Sequence, residues 1–466
     1  MIICSNNKQG RINNTHGINS KKKMEEEVKF KLSDEQALAL EHFNKGENLF
    51  LTGPGGSGKT ELIKQMVKHS NENGRKVQVC ALTGCAAVLL SCKAKTVHSF
   101  AGIGLASGTV EEVVRKVISN KYKLKNWKGI DVLIIDEVSM MSVKLFEILD
   151  YIARRSRKKL STPFGGIQVI FSGDFYQLPP VGTFGEDNTS AFCFESPNWD
   201  ITFPTTIVLK TIFRQTDEAY RSILNQVRVG KLYKSALDKL ENQVNKPFPV
   251  DYKPTILLPR RKDAESINSA ELKKLKSEGK TYKVSKVINE IPTSANHSLN
   301  LQNPSDEQIE KEYNFLANNI MAEKEIELKI GTQVMCIANI DMESAEQIVN
   351  GSQGTVVEFI GEIPVVKFKN GIKRSVGYHV WTSEIMPKVG VKQIPLIYAW
   401  AITIHKAQGV TLDMAQIDAG SNIFECGQTY VALSRVKNLE GLYLTAINPH
   451  KIQVNKKVKD FYAKYN

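Results

Sequence analysis

The residues with the plainest chemistry lie in Asn48–Lys64, NLFLTGPGGSGKTELIK, where Gly53, Gly58, Lys59 and Thr60 fit the pattern G-x-x-x-x-G-K-[ST]. Glycines in such a turn let the backbone fold into a nest whose N–H groups point at phosphate oxygens. The nest would run through Gly53, Pro54, Gly55, Gly56, Ser57 and Gly58. It ends at a helix N-terminus, where unpaired N–H groups and the helix dipole favour an anion. Lys59 adds a point charge for the outer phosphates, and the Thr60 hydroxyl is a ligand for Mg2+. The bland alternative is a glycine-rich turn followed by a chance Lys-Thr. The context argues against it: residues 49–52 read as a short apolar strand, and Glu61, Leu62, Lys64, Gln65 and Met66 are helix formers. The spacing asks for a nucleoside triphosphate with magnesium.

Two carboxylates supply the next piece. The stretch Asp131–Met140, DVLIIDEVSM, reads as a strand that ends in adjacent Asp136 and Glu137. In phosphate-loop proteins an aspartate at the tip of such a strand holds Mg2+, often through water, and Asp136 fits that role. Glu137 is placed to activate an attacking water as general base. The competing reading of Glu137 is a surface carboxylate. In GIQVIFSGDFYQLPPVG, residues 166–182, Gln177 stands after another strand-like run, where a γ-phosphate or its water could be sensed. Alone, a glutamine before two prolines is ordinary loop chemistry.

These residues need elements to position them. Strand-like runs at 77–81, 132–135, 169–172 and 206–209 alternate with helical or loop segments, which predicts a parallel sheet covered on both faces. This first core runs from about 29 to 213. Residues 33–44 read as a helix opened by a Ser33–Gln36 capping box. Residues 142–159 read as an amphipathic helix with a serine cap, and its basic end (Arg154, Arg155, Arg157, Lys158, Lys159) suits a helix C-terminus. A second α/β region starts near Arg214 and covers 214–285. Residues 286–312 are polar and turn-rich, like a linker. Short strands at 332–337, 355–359 and 364–368, with hairpin signals at Asn350-Gly351 and Asn370-Gly371, predict a small β-barrel or sandwich inserted within 286–392. The second α/β core then resumes over 393–466. Residues 1–28 are polar and Asn/Lys-rich and read as disordered. Met24 opens the sequence that looks ordered, so whether the 23 residues before it are translated stays open.

Composition bounds the rest. A chain of 466 residues exceeds one core, and at about 150 residues per domain it suggests about three. A hydrophobic share of 42% marks a globular chain. Net charge is +13 and the pI about 9.2, which favours a polyanionic partner, nucleic acid first. The seven cysteines contain no C-x-x-C pair, and Cys80, Cys85, Cys92 and His98 miss the usual zinc spacings, so buried thiols in a reducing compartment are the better reading. The start, MIICSNNKQGR, lacks a signal-peptide pattern. The most apolar window, residues 394–404, is too short to span a bilayer. The expectation is a soluble intracellular protein, in the nucleus, the cytoplasm or a viral or host replication site, with no membrane partner.

Read in order, the segments form a set: LSDEQ (32–36), GPGGSGKT (53–60), ALTGCAA (81–87), TVHSFAGIG (96–104), LIIDEVSMM (133–141), PFGGIQVIFSGDFYQLPP (163–180), LKTIFRQ (209–215), WAITIHKAQGVTLD (400–413) and YVALSRVKNLEGLYL (430–444). This set resembles the superfamily 1B DNA helicases of the Pif-one type, relatives of RecD and of the phage Dda helicase. The resemblance covers about 32 to 446. It implies two RecA-like phosphate-loop lobes with a small inserted SH3-like β-module, and ATP with Mg2+ bound between the lobes. Gln36 would read adenine, Gln408 and Gly409 would join the nucleotide-binding set, and Arg214 and Arg435 would reach the γ-phosphate as arginine fingers supplied in cis. Thr83, His98, Phe100, Thr403, His405 and Lys406 would contact DNA, with Phe100 free to stack on a base. Gln36 also has its helix cap to serve, Phe100 could equally be core, and each arginine could instead sit in a structural ion pair. Residues 102–108 would be a short wedge within 102–128. In KYKLKNWK, Lys121–Lys128, Tyr122 and Trp127 interleave with lysines as on a single-strand surface or a solvated edge.

Two departures stand out. Ala407 replaces a frequent serine in HKAQG, so any contact from that hydroxyl is absent, and Tyr176 replaces a frequent phenylalanine. The extension before the motifs is too short for a large regulatory or targeting domain. The implied activity is ATP-driven 5′-to-3′ movement on single-stranded DNA with unwinding of forks, in replication, repair, recombination or telomere maintenance. The chain would act as a monomer, with replication or recombination proteins as further partners. Three other readings compete: a single-strand-binding scaffold with weak ATPase, a phosphate-loop kinase of a small acceptor, and an RNA helicase.

Overall fold

The computed structural model describes residues 32–465 apart from 91, 105, 249–252, 289–304, 341–347, 384, 385, 387, 405, 408 and 409. The expected disorder over 1–28, part of the expected linker, and His405, Gln408 and Gly409 therefore lie outside the described residues.

The apolar runs of the first core pair as a six-stranded parallel sheet. Its order is Lys95–Thr96, Val77–Ala81, Val132–Asp136, Gln168–Gly173, Leu49–Thr52 and Thr205–Val208. The three strands that lead to the predicted chemistry, Leu49–Thr52, Val132–Asp136 and Gln168–Gly173, are buried along their whole length. That is why they read as continuous apolar runs rather than alternating ones. Their C-terminal ends lie at one edge, where open α/β sheets bind ligands. The capped helices form as expected: Asp34–Asn44 behind Ser33 and Val143–Arg157 behind Ser142.

The second lobe is a four-stranded parallel sheet ordered Ala401–Thr403, Thr255–Leu258, Ala415–Ala419 and Leu442–Ile447. Between its first and second strands in sequence the chain turns antiparallel. A five-stranded sheet runs Lys373–Ser375, Ile363–Phe368, Gln353–Ile360, Gln333–Cys336 and Leu396–Tyr398. The Asn370-Gly371 signal is a true hairpin, with Gly371 at φ 87°. Two smaller pairings accompany it: His379–Thr382, Val389–Gln393 and Ser285–Ile288 in one, and Lys280–Lys283 with Glu325–Leu328 in the other.

Three sequence boundaries shift. The antiparallel strands begin at Lys280 and end at Tyr398, beyond the expected 286–392. The expected linker carries a strand, Ser285–Ile288, and the start of a helix, Asp306–Asn319, whose Ser305–Gln308 capping box was a readable signal. The third shift is the last helix, Lys456–Ala463, which the sequence placed in the second lobe. Its Val458, Phe461 and Tyr462 instead join the core of the first, among Phe50, Phe171, Phe175 and Trp199. Phe461 meets Phe194 at 4.5 Å, Phe175 at 5.3 Å and Phe50 at 5.9 Å between ring centroids. In return, Leu178 of the first lobe packs into the core of the second. Each lobe thus closes a hole in the other.

Phe461→Ala should cost about 3–5 kcal/mol, as for other buried aromatic truncations. The loss should appear by amide hydrogen exchange as lost protection in Leu49–Thr52 and Gln168–Gly173. Loss confined to the strands of the second lobe would contradict this placement.

Candidate active site

The phosphate loop leaves the Leu49–Thr52 strand at Gly53 and enters the Lys59–Glu72 helix after Gly58. Gly53, Gly56 and Gly58 have φ of 148°, 84° and 81°. A Cβ placed on Gly53 would stand 2.5 Å from the Leu209 carbonyl oxygen, and one on Gly56 would stand 2.5 Å from Arg214 Cβ. Only glycine meets both demands, positive φ and close approach. The Ser57 hydroxyl is buried in this cradle and has no hydrogen-bond partner among the described residues. Lys59 Nζ donates to the Gly53 carbonyl at 2.7 Å and to the Pro54 carbonyl at 3.0 Å. Burial pulls the Lys59 ammonium below its usual pKa, against the pull of Asp174, Glu137 and Asp136. A cation held in a cradle of turned-in amides fits a triphosphate. The Thr60 hydroxyl, which is exposed, and the Asp136 carboxylate give the all-oxygen donors that suit Mg2+.

Asp136 closes the Val132–Asp136 strand and is 6% exposed. Burial raises its carboxyl pKa, while the Ser172 hydroxyl, the Glu137 backbone and Lys59 oppose the rise. Glu137 follows with φ 58° and ψ 37°, left-handed backbone in a non-glycine residue. Such a conformation costs about 1–2 kcal/mol and collects at functional sites. Gln177 is buried in the turn after Gln168–Gly173, its N–H bonded to the Asp174 carbonyl at 2.8 Å.

The junction of the two lobes, residues 213 and 214, meets this loop directly. The Phe213 N–H donates to the Gly56 carbonyl at 2.9 Å, and Arg214 Nη1 donates to the Ser434 carbonyl at 3.4 Å. Arg435 is 2% exposed, and its guanidinium donates to the Val431 carbonyl at 2.9 Å and to Ser434 Oγ at 2.8 Å. A Cβ on Gly55 would lie 3.5 Å from Arg435 Nη2. Burial first, and Arg214 second, push the Arg435 pKa down to about 9, with Glu137 and Tyr430 pulling it up. Arg214 is also lowered by burial. A buried cation, Arg435, and a half-buried one, Arg214, beside the glycine-rich loop suit a polyanion. Neither arginine makes the structural carboxylate pair that was its alternative reading among the ion pairs of the described residues.

Gln36 is fully buried. Its Oε1 accepts from the Ser33 N–H at 3.0 Å in the capping box, and its Nε2 donates to the Ser57 carbonyl at 3.4 Å. The cap and the phosphate loop thus share one side chain. The expected DNA contacts divide. Thr83 is exposed, and its Oγ1 accepts from the Ala86 N–H at 3.2 Å. His98 is half-buried, which lowers its pKa. Thr403 is buried and accepts from the Lys406 N–H at 3.1 Å, while Lys406 Nζ donates to Glu323 at 2.7 Å. Phe100 is a correction. It is 1% exposed and packs on Trp127 at 4.9 Å, so neither ring offers a face to a base. Trp127 likewise corrects the single-strand reading of Lys121–Lys128: those residues form a helix that buries it, with its ring N–H toward the Ala101 carbonyl at 3.5 Å.

Sequence reasoning missed four residues here. The Tyr430 hydroxyl accepts from the Gly55 N–H at 2.8 Å. Asp174 and Arg228 form a buried two-point ion pair between the lobes, at 2.8 and 2.9 Å. Burial works against charge on Arg228, and Asp174 more than offsets it, so its pKa is raised. Tyr462 of the last helix lies 2.6 Å from Thr52 Oγ1. Tyr430 and Asp174 sit inside YVALSR and GDFYQ, where proximity to Arg435 and Gln177 was a usable signal. Arg228 and Tyr462 carry none.

Known proteins resemble this chain in sequence and in fold. Residues 31–236 match the family model for PIF1-like helicase, and residues 313–359 match that for DNA helicase Pif1, 2B domain. The ATP-dependent DNA helicase PIF1 of Emericella nidulans is 34% identical over 90% of this chain and 61% of its own length. The ATP-dependent DNA helicase Pif1 of Bdellovibrio bacteriovorus is 34% identical over 93% of this chain and 92% of its own. The crystal structure of Bacteroides sp Pif1 in complex with ADP-AlF4 superposes with a TM-score of 0.74 at 27% identity, covering 93% of this chain and 97% of that one. The Bacteroides Pif1 complex with ADP-AlF3 and ssDNA gives a TM-score of 0.60 at 28% identity, again over 93% and 97%. This chain spans less than two thirds of the length of several eukaryotic relatives it matches, 61% to 65%. Matched along most of its length by a bacterial relative and in both its first lobe and its insert by family models, the chain belongs to the PIF1-like helicases.

Proposed function

We propose that this chain is an ATP-dependent DNA helicase. It hydrolyses ATP in the crevice between its two α/β lobes, moves 5′ to 3′ along single-stranded DNA and splits the duplex ahead. The observation that carries the reading is the meeting of Arg214 and Arg435, from the second lobe, with the phosphate loop of the first. Phosphoryl transfer spreads negative charge that must be met by cations fixed in advance. When those cations sit on a second body, hydrolysis depends on how the bodies are held, and motion and chemistry become one equilibrium.

The residues divide the task. The loop amides and Lys59 hold the β- and γ-phosphates, and Gln36 reaches the base. Glu137 takes a proton from the attacking water, and Gln177 orients it. Arg214 and Arg435 stabilise the charge as the γ-phosphoryl leaves. Mg2+, held by Thr60 and Asp136, would offset charge on the phosphate oxygens. On the nucleic-acid side, Lys406 exchanges Glu323 for a phosphate, with Thr83, His98 and Thr403 along the same path. The charge of +13 supports a nucleic acid over a small acceptor. The printed names of the relatives specify DNA, and the Bacteroides complexes hold an ADP–metal fluoride and single-stranded DNA.

Lys59→Ala should lower ATP hydrolysis by about 10²-fold or more while leaving salt-sensitive DNA binding; retained hydrolysis would refute the site. Glu137→Gln should still bind ATP but turn over about 10²–10⁴-fold more slowly, measured as nucleotide binding beside steady-state phosphate release. On forked DNA with a single tail, strand separation should need ATP and a 5′ tail. Separation from a 3′ tail alone would reverse the direction, and equal activity on RNA would remove the DNA assignment.

A further inference from the structure

The Tyr462 hydroxyl occupies a junction between the motifs. It accepts from the Phe175 N–H at 3.1 Å and lies 2.6 Å from Thr52 Oγ1. With the Phe175 amide as donor, the Tyr462 proton is free to go to Thr52. Thr52 ends the strand that opens the phosphate loop, and Phe175 lies between Asp174 and Gln177. The Tyr462 ring stacks on Tyr176 at 4.7 Å with 10° between planes, and the Arg228 guanidinium lies 4.5 Å from the Tyr176 centroid and 5.6 Å from that of Tyr462. Arg228 holds Asp174, whose carbonyl accepts from the Gln177 N–H. One side chain thus touches the phosphate-loop strand, the Gln177 turn and the cation joining the lobes.

We propose that Tyr462 is a positioning residue for ATP hydrolysis. Its hydroxyl sets the spacing between the phosphate loop and the Gln177 turn, and its ring holds Arg228 in line for Asp174. This rests on the ATPase reading above. Tyr462 bonds to Thr52 and Phe175, outside the loop itself, and acts through Gln177 and Asp174. Its loss therefore bears on turnover, because ATP binding rests on the loop amides and Lys59.

The test is Tyr462→Phe, which keeps the ring and removes the hydroxyl. ATP-competent sites are counted by calorimetric titration with a non-hydrolysable ATP analogue, and kcat is expressed per competent site with single-stranded DNA present. A sub-ångström shift of the Gln177 turn should lower kcat about tenfold while KM for ATP stays within about twofold. Thr52→Val removes the other partner of the same hydroxyl. It should give the same kcat loss, and the double variant should be no worse than either single one. A lower melting temperature with unchanged kcat per site in both variants would make Tyr462 a packing residue only and overturn the proposal. A wild-type chain that hydrolyses no ATP would overturn the function, and this proposal with it.

Discussion

The Asp174–Arg228 ion pair holds the two lobes in the register that everything else requires. Both side chains are nearly or fully buried, and they meet through two hydrogen bonds. Burying such a pair is expensive, and its mutual attraction repays the cost only in good geometry. Here the guanidinium also lies against Tyr176 and Tyr462, whose faces favour a cation. We read the contribution of the pair as register. An apolar contact would tolerate sliding, whereas a two-point ion pair in a largely buried interface admits one alignment, and that alignment brings Arg435 to Gly55.

From that register follows a site whose parts already hold one another. The Gly55 amide is bonded to the Tyr430 hydroxyl, and Lys59 to two loop carbonyls. In the proposed reading, nucleotide binding exchanges protein contacts for phosphate contacts: Tyr430 leaves an amide and Lys59 turns from carbonyls to an anion. Because Tyr430 belongs to the second lobe, the exchange at the loop is felt across the crevice. The same reading has Lys406 give up Glu323 for a phosphate of the nucleic acid. In the function we propose, lobe closure and DNA grip are coupled by competing contacts of this kind.

What could be read from the sequence was local. The phosphate loop announced itself because glycine, lysine and threonine have fixed jobs within eight residues. Asp136 and Glu137 stood out because carboxylates after four apolar β-formers need a reason. The Ser33–Gln36 cap was equally local. Contacts between distant residues were not readable. Thr52 and Tyr462 are 410 positions apart and share one hydrogen bond. Phe100 looked available to a base because nothing nearby in sequence reveals that Trp127 covers it. The last helix was placed in the wrong lobe because Phe461 is merely apolar until Phe50, Phe175 and Trp199 surround it. Arg214 and Arg435 were singled out by family resemblance alone, since no local rule marks an arginine that lies beside a phosphate loop in another lobe.

The central claim is that the second lobe completes the chemistry of the first. Its most direct test is a structure of this chain with ADP and a metal-fluoride mimic of the transferring phosphoryl group. The account predicts both the Arg214 and Arg435 guanidiniums at hydrogen-bond distance, about 3 Å, from the fluoride ligands. A structure in which the mimic binds the loop while either arginine keeps to its present carbonyl partners would contradict it.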